Sequence, residues 1–258
     1  MPVTKNNKQS TSAITRSATI RFSHIDAAGI MFYPRYFELL SQAFPEFPVA
    51  SAPFAMKTRF RKPNRLGDQL QIGFCEDEDR ECWSFTGQMD GNEHFSVSAM
   101  PLGESQLAQD AHRPESTAFC AEVTSIEPWA SDHSGCLQVS RFFELVNSAV
   151  EQWFEKLLDM PFHELHMVRG IGIPTVEMST RCGELPRIGE TVSLMIRPAH
   201  IGSRALTYKT WLVRDDRCLL ENEQVIVFVK MTADGFEMIT IPDDIRTRLN
   251  RQLEQSVA

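Results

Sequence analysis

The chain repeats itself, and the repeat restricts it to folds built from two copies of one unit. Asp132-His133-Ser134-Gly135-Cys136-Leu137-Gln138-Val139-Ser140-Arg141-Phe142-Phe143-Glu144-Leu145 lies on Asp26 to Leu39 without a gap, with Asp, Gly, Arg, Phe, Glu and Leu at matching positions. A second anchor follows in each copy. Arg65-Leu66-Gly67-Asp68 matches Arg187-Ile188-Gly189-Glu190, and each opens a segment of alternating apolar residues.

Each copy reads as strand, helix, then a run of strands. In the first, Leu70, Ile72 and Phe74 alternate, followed by Trp83, Phe85 and Met89, then by Phe95, Val97 and Ala99. In the second, Val192, Leu194 and Ile196 precede Leu206, Tyr208 and Leu212, then the run 225–229. A period of two means antiparallel strands with one buried face, so the class is α+β. The expected units are a flexible tail over 1–16, a first copy over 17–102, a polar linker over 103–117, a second copy over 118–240 and a C-terminal helix over 241–258, with Ile245, Leu249 and Leu253 on one helix face. The copies differ. Gly67 follows Glu38 by 29 positions, whereas Gly189 follows Glu144 by 45. The second helix continues through Val146, Val150, Trp153, Phe154, Leu157 and Leu158, while Pro45 and Pro48 stop the first. One functional site in the first copy, walled by the second, is the expected division.

That site centres on Asp26-Ala27-Ala28-Gly29-Ile30-Met31-Phe32-Tyr33-Pro34. The stretch predicts a strand ending in a carboxylate, a small-residue turn, and a helix with Phe32, Tyr36, Leu40 and Phe44 on one face. An acid ahead of a helix N-terminus faces unsatisfied N–H donors. Read alone, Asp26 fits a turn or helix-capping residue as well as a catalytic one. The run resembles the active-site segment of the hot-dog acyl-CoA thioesterases of the 4-hydroxybenzoyl-CoA thioesterase family, which carry Asp-x-x-Gly, two hydrophobic residues, an aromatic, then Tyr or His. The resemblance implies a double hot-dog, two helices each wrapped by a curved antiparallel sheet and fused into an intramolecular pseudo-dimer, since single-copy relatives pair about a two-fold axis.

The implied activity is hydrolysis of an aromatic or short- to medium-chain acyl-CoA to free acid and coenzyme A. Asp26 acts as nucleophile or general base, and N–H groups beside Tyr33 polarise the carbonyl. Gly29 and Phe32 border the substrate. Coenzyme A belongs to the substrate, and no metal or other cofactor is implied. His24 is expected to pack, and Asp132 to be a remnant turn residue. Lys57, Arg59 and Arg61, at period two, align cations suited to coenzyme A phosphates or simply to solvent. Thr175 and Glu177, on a strand expected to face the first copy's site, are further binding candidates. His163 and His166 share a spacing of three without the remaining ligands of a metal site. Two alternatives stand beside hydrolysis: an acyl-CoA-binding sensor or scaffold without turnover, and a hot-dog hydratase or dehydratase. The latter pairs a His with an acid across the interface, and no such motif is visible.

Composition excludes other classes. Net charge is −8 over 258 residues, which argues against general nucleic-acid or anionic-membrane binding. No apolar run is long enough to span a bilayer, and the N-terminus lacks a signal-peptide core, so a cytoplasmic location is expected. Six cysteines without a Cys-x-x-Cys pair read as reduced and mostly buried thiols. Further assembly of pseudo-dimers into a homo-oligomer is left open.

Overall fold

The computed structural model describes residues 14–45, 52–77, 81–103, 118–232 and 235–255. The expected linker lies almost wholly outside these residues. Ten strands form one antiparallel sheet. In the first half these are β1 (Ile14–Thr19), β2 (Phe54–Phe60), β3 (Gln69–Asp77), β4 (Cys82–Met89) and β5 (Asn92–Pro101). In the second they are β6 (Phe119–Ser125), β8 (Thr175–Cys182), β9 (Thr191–Ile201), β10 (Ala205–Arg214) and β11 (Arg217–Val227), with the short β7 (Ile171–Gly172) standing apart. The spatial order is β1-β3-β4-β5-β2-β8-β11-β10-β9-β6, the same sequence of connections read outward from either side of the central β2–β8 pair. That pair is antiparallel, with Phe54 opposite Cys182 and Arg59 opposite Glu177. A second sheet joins β7 to β12 (Val229–Thr232) and β13 (Gly235–Met238).

Two helices lie on the buried face. Helix α1 (Pro34–Ala43) starts on a proline, which needs no N–H partner in the first turn, and is capped by Phe44. Helix α2 (Val139–Leu158) is twice as long and buries Phe142, Phe143, Val146, Val150, Trp153 and Phe154 at helical spacing. It ends at Asp159 in the left-handed region, and Arg248 donates to the carbonyls of Leu158 and Asp159. Arg248 belongs to α3 (Asp243–Gln255), which seats Ile245 and Leu249 against the core and accepts the Trp153 indole N–H through Gln252.

The repeated identities meet between α1 and α2. Phe37 stacks on its counterpart Phe143 with ring centroids 4.4 Å apart, both fully buried. Arg35 reaches Glu38 at 2.7 Å and Glu144 at 2.9 Å, while Arg141 holds Glu144 at 2.7 and 2.8 Å. These Arg, Phe and Glu positions therefore couple the halves, a role the linear repeat does not reveal.

Three expectations change. The first strand ends at Thr19, and the chain reaches Asp26 through a 3-10 turn over Phe22–His24, because the strand's partner β3 is left behind at Gln69. Strand β1 also begins at Ile14, inside the expected tail. Of the six cysteines only Cys182 is buried, opposite Phe54 and Leu220 at the centre of the sheet, while Cys75, Cys82, Cys136 and Cys218 are half-buried and Cys120 is exposed. Among the described residues no helix is long and apolar enough to cross a membrane.

Candidate active site

The Asp26 turn is closed by an isolated bridge between Ile25 and Met31 and by the Asp26 N–H donating to the Ile30 carbonyl at 2.9 Å. Gly29 sits at φ +76°, a conformation that costs an L-residue about 1–2 kcal/mol, and its repeat counterpart Gly135 sits at +78°. The repeated glycine thus serves the turn. Within it, Asp26 Oδ1 accepts the N–H groups of Ala28 at 2.8 Å and Ile30 at 3.3 Å, and Oδ2 receives neither. Oδ1 anchors the carboxylate in its turn.

Helix α1 begins eight residues after Asp26. The Phe32 N–H is taken by the His24 carbonyl at 2.9 Å, and Arg35 N–H by Phe32 O. Pro34 has no N–H. The Tyr33 N–H, at the helix N-cap, has no partner among the described residues and is the donor left at this terminus. The Tyr33 side chain is occupied elsewhere: its hydroxyl donates to the Phe143 carbonyl of α2 at 3.0 Å, and burial drives its pKa far above the ordinary range. What Tyr33 leaves open at this turn is its backbone N–H, not its hydroxyl. Phe32 packs edge-on against it, centroids 5.5 Å apart, with part of its ring exposed. His24 is buried, its Nδ1 accepting the Arg21 N–H.

The second copy repeats the turn with different electrostatics. Asp132 Oδ1 accepts the Ser134 N–H at 2.9 Å, the Ser134 hydroxyl at 2.7 Å and the Cys136 N–H at 3.0 Å. Burial pushes the Asp132 pKa up, but these hydrogen bonds together with His133 outweigh it and hold the carboxyl below its usual value. At Asp26 burial wins, against the N–H bonds of Ile30, Ala28 and Gly29 and the charge of His166, so that carboxyl lies above its usual value. Ala28, standing where the second copy has Ser134, is one visible difference. Replacing Ala28 by Ser is expected to lower the Asp26 pKa. If catalysis needs the ionised carboxylate, activity is lost as pH falls through that pKa, so the acidic limb of kcat/KM moves to lower pH in Ala28→Ser. A pH–rate profile of both proteins checks this.

The other candidates divide between two faces. Lys57 and Arg59 lie on the solvent face of β2, where both hold Glu177, at 2.9 and 3.1 Å, and Arg61 holds Glu93 at 2.6 Å. These cations are paired, not free. Arg59, Phe60, Arg61, Val176, Glu177 and Val225 line an open groove of about 370 Å³. Asp26 is not among its lining residues, although the Phe60 ring backs on Tyr36 in the first turn of α1, centroids 5.0 Å apart. Thr175 and Glu177 share a parity, yet a bulge between Val225 and Ile226 of β11 breaks the register against β8. Thr175 Oγ1 accepts the side-chain N–H of buried Gln224 at 2.5 Å, and Gln224 in turn reaches the Tyr33 hydroxyl. A bulge re-aims a side chain in this way, and it carries no clear sequence signal.

Two solved structures superpose on both halves of the chain. A Lactobacillus plantarum protein described as an oleoyl thioesterase aligns with a TM-score of 0.61 over 85% of this chain and 97% of its own, at 10% identity. An acyl-ACP thioesterase from Bacteroides thetaiotaomicron aligns with a TM-score of 0.57 over 84% and 97%, at 8% identity. The fold is the hot-dog fold. At these identities the likeness carries the fold alone. No protein-family model and no curated protein matches the chain.

Within the hot-dog fold the second half also supplies a residue that the sequence reading set aside. His166 lies on a π-helical turn, Glu164–Val168, and its charge acts on the Asp26 carboxylate. The sequence hint to this turn is the extra length of the second copy between Glu144 and Gly189.

Proposed function

We propose that this chain is an acyl-CoA thioesterase built as a double hot-dog, residues 17–102 and 118–240 forming an intramolecular pseudo-dimer with one working site. The observation that carries the reading is the contrast between the two repeated aspartates. Asp26 Oδ1 takes the N–H groups of Ala28 and Ile30 and burial raises its carboxyl, while Asp132 Oδ1 takes two N–H groups and the Ser134 hydroxyl and its carboxyl is held low.

A raised pKa makes Asp26 the stronger nucleophile or base, and Tyr33 N–H is suited to the oxyanion that develops on a thioester carbonyl. Gly29 shapes the turn, and the exposed edge of Phe32 borders the acyl group. Thr175 supports Tyr33 through Gln224. The groove by Arg59, Arg61 and Glu177 takes the nucleotide end of coenzyme A, the cations exchanging carboxylate for phosphate. Accordingly Arg59→Ala and Arg61→Ala are expected to raise KM for an acyl-CoA roughly tenfold with little change in kcat, about 1.4 kcal/mol of binding. Steady-state kinetics, repeated with a dephospho-CoA ester that should show a smaller effect, checks this.

Free-thiol release from benzoyl-, 4-hydroxybenzoyl-, phenylacetyl- and short- and medium-chain acyl-CoA tests the function. Turnover of at least one class supports hydrolysis; binding without release replaces it with a sensor. The charge of His166 acting on the Asp26 carboxyl favours one second reading, hydration or dehydration of an acyl thioester. It predicts conversion of an enoyl- or β-hydroxyacyl-CoA with the thioester intact.

A further inference from the structure

The two halves share a backbone around the aspartate turn but differ in what they bury behind it. In each, one carbonyl holds the chain leaving the turn: Met31 N–H donates to Asn64 O at 2.8 Å, and Leu137 N–H to Pro186 O at 2.9 Å. In each, one strand carbonyl takes two N–H groups: Arg61 and Lys62 donate to His94 O, Gly183 and Glu184 to Leu219 O. Tyr36 holds the place in α1 that Phe142 holds in α2. The first half therefore carries Tyr36, Asn64 and His94 where the second carries Phe142, Pro186 and Leu219.

The three polar side chains are buried, Asn64 completely, and they are joined. The Tyr36 hydroxyl donates to Asn64 Oδ1 at 2.9 Å, which turns Asn64 Nδ2 toward His94 Nδ1, 2.9 Å away. An amide N–H only donates, so Nδ1 accepts and the neutral ring carries its proton on Nε2. Burial and the charge of Lys62 favour that neutral ring, against Asp68 and Asp90. Burial likewise keeps the Tyr36 hydroxyl protonated. The Tyr36 ring packs on Phe60 and Phe95, centroids 5.0 and 4.8 Å away. Apolar side chains fill the same places in the second half, so the fold does not require these polar groups, whose burial is unfavourable unless they are hydrogen-bonded.

Asn64 touches both parts of the site. Its carbonyl holds Met31, which bridges Ile25 and closes the Asp26 turn. Its side chain holds Tyr36, in the first turn of α1 and three residues beyond the Tyr33 N-cap. We propose that Asn64, with Tyr36 and His94, is the positioning centre of the site, tying the Asp26 turn to helix α1 and so setting the Asp26 carboxylate against the Tyr33 N–H. This rests on the thioesterase reading. None of the three touches the reacting atoms; they act through the turn and the helix that they join.

The test compares steady-state thiol release and thermal melts of the full chain for wild type, Tyr36→Phe, His94→Leu, His94→Asn and the triple variant Tyr36→Phe/Asn64→Pro/His94→Leu, which gives the first half the residues of the second. Replacing every partner of a buried hydrogen bond by apolar groups of similar shape is nearly neutral for stability, so the triple variant should melt close to wild type. Its kcat should fall roughly 10²-fold, the effect of misplacing reacting groups by about 1 Å, with KM within about twofold of wild type. Tyr36→Phe, which cuts only the tie to α1, should lose about tenfold in kcat. His94→Asn, whose Oδ1 can accept the Asn64 N–H, should recover most of the kcat that His94→Leu loses. Wild-type kcat in the folded triple variant overturns the proposal, and if that variant does not fold, wild-type kcat in folded Tyr36→Phe does the same. A rise in KM with kcat unchanged also overturns it, in each case leaving hydrolysis intact. Absence of thiol release by wild type overturns the thioesterase reading and the role of Asn64 with it.

Discussion

Asp26→Asn is expected to lower kcat/KM for an acyl-CoA by about 10³-fold, near 4 kcal/mol of transition-state stabilisation, without unfolding the protein. The amide oxygen of Asn can accept the same N–H bonds from Ala28 and Ile30, so the turn survives. What disappears is the charge. Because burial raises the Asp26 pKa in the fold, the neutral carboxyl suits the site better than the ion does, and stability falls as pH rises through the raised value. The Asn variant lacks that loss. It should melt no lower than wild type at pH 7 while losing activity, so that melting and thiol release move apart. A fall in both would mean that Asp26 chiefly holds the turn together.

The second large effect is structural. Phe143→Ala removes a fully buried ring that stacks on Phe37 and also meets Tyr33 edge-on, centroids 6.2 Å apart. Such truncations cost about 3–5 kcal/mol, which for a chain of this size lowers Tm by roughly 10 °C. The loss falls where the halves meet, next to the carbonyl that holds the Tyr33 hydroxyl. Activity should therefore drop even below the melting transition. Phe44, a ring equally buried but packed within the first half against Phe74 and Phe85, provides the comparison. Phe44→Ala should destabilise to a similar extent with a smaller effect on kcat. Calorimetry and thiol release on the two variants check this.

The sequence made the fold legible because the repeat is local and ungapped. Alternation at Leu70, Ile72 and Phe74 and at Val192, Leu194 and Ile196 corresponds to buried positions on β3 and β9. The longer second helix also follows from its apolar spacing. The site was legible only where the chain is contiguous, from Asp26 to Pro34. Even there the strand was expected to run to Asp26, since nothing local marks the 3-10 turn. Gln224 and Phe143 reach Tyr33 through tertiary packing from more than a hundred residues away, and pattern reading does not see such contacts. Thr175 was picked out, but with a parity that the bulge overrides. Arg59 and Arg61 alternate as expected, yet their carboxylate partners Glu177 and Glu93 come from neighbouring strands and were not foreseen.

One measurement bears most directly on a single working site at Asp26: the rate of thiol release by Asp26→Asn and Asp132→Asn, side by side, on the best acyl-CoA substrate at saturation. The predicted result is near-complete loss in Asp26→Asn with Asp132→Asn within about twofold of wild type, a difference of less than 0.5 kcal/mol in barrier. Equal losses in the two variants, or an active Asp26→Asn, would contradict it.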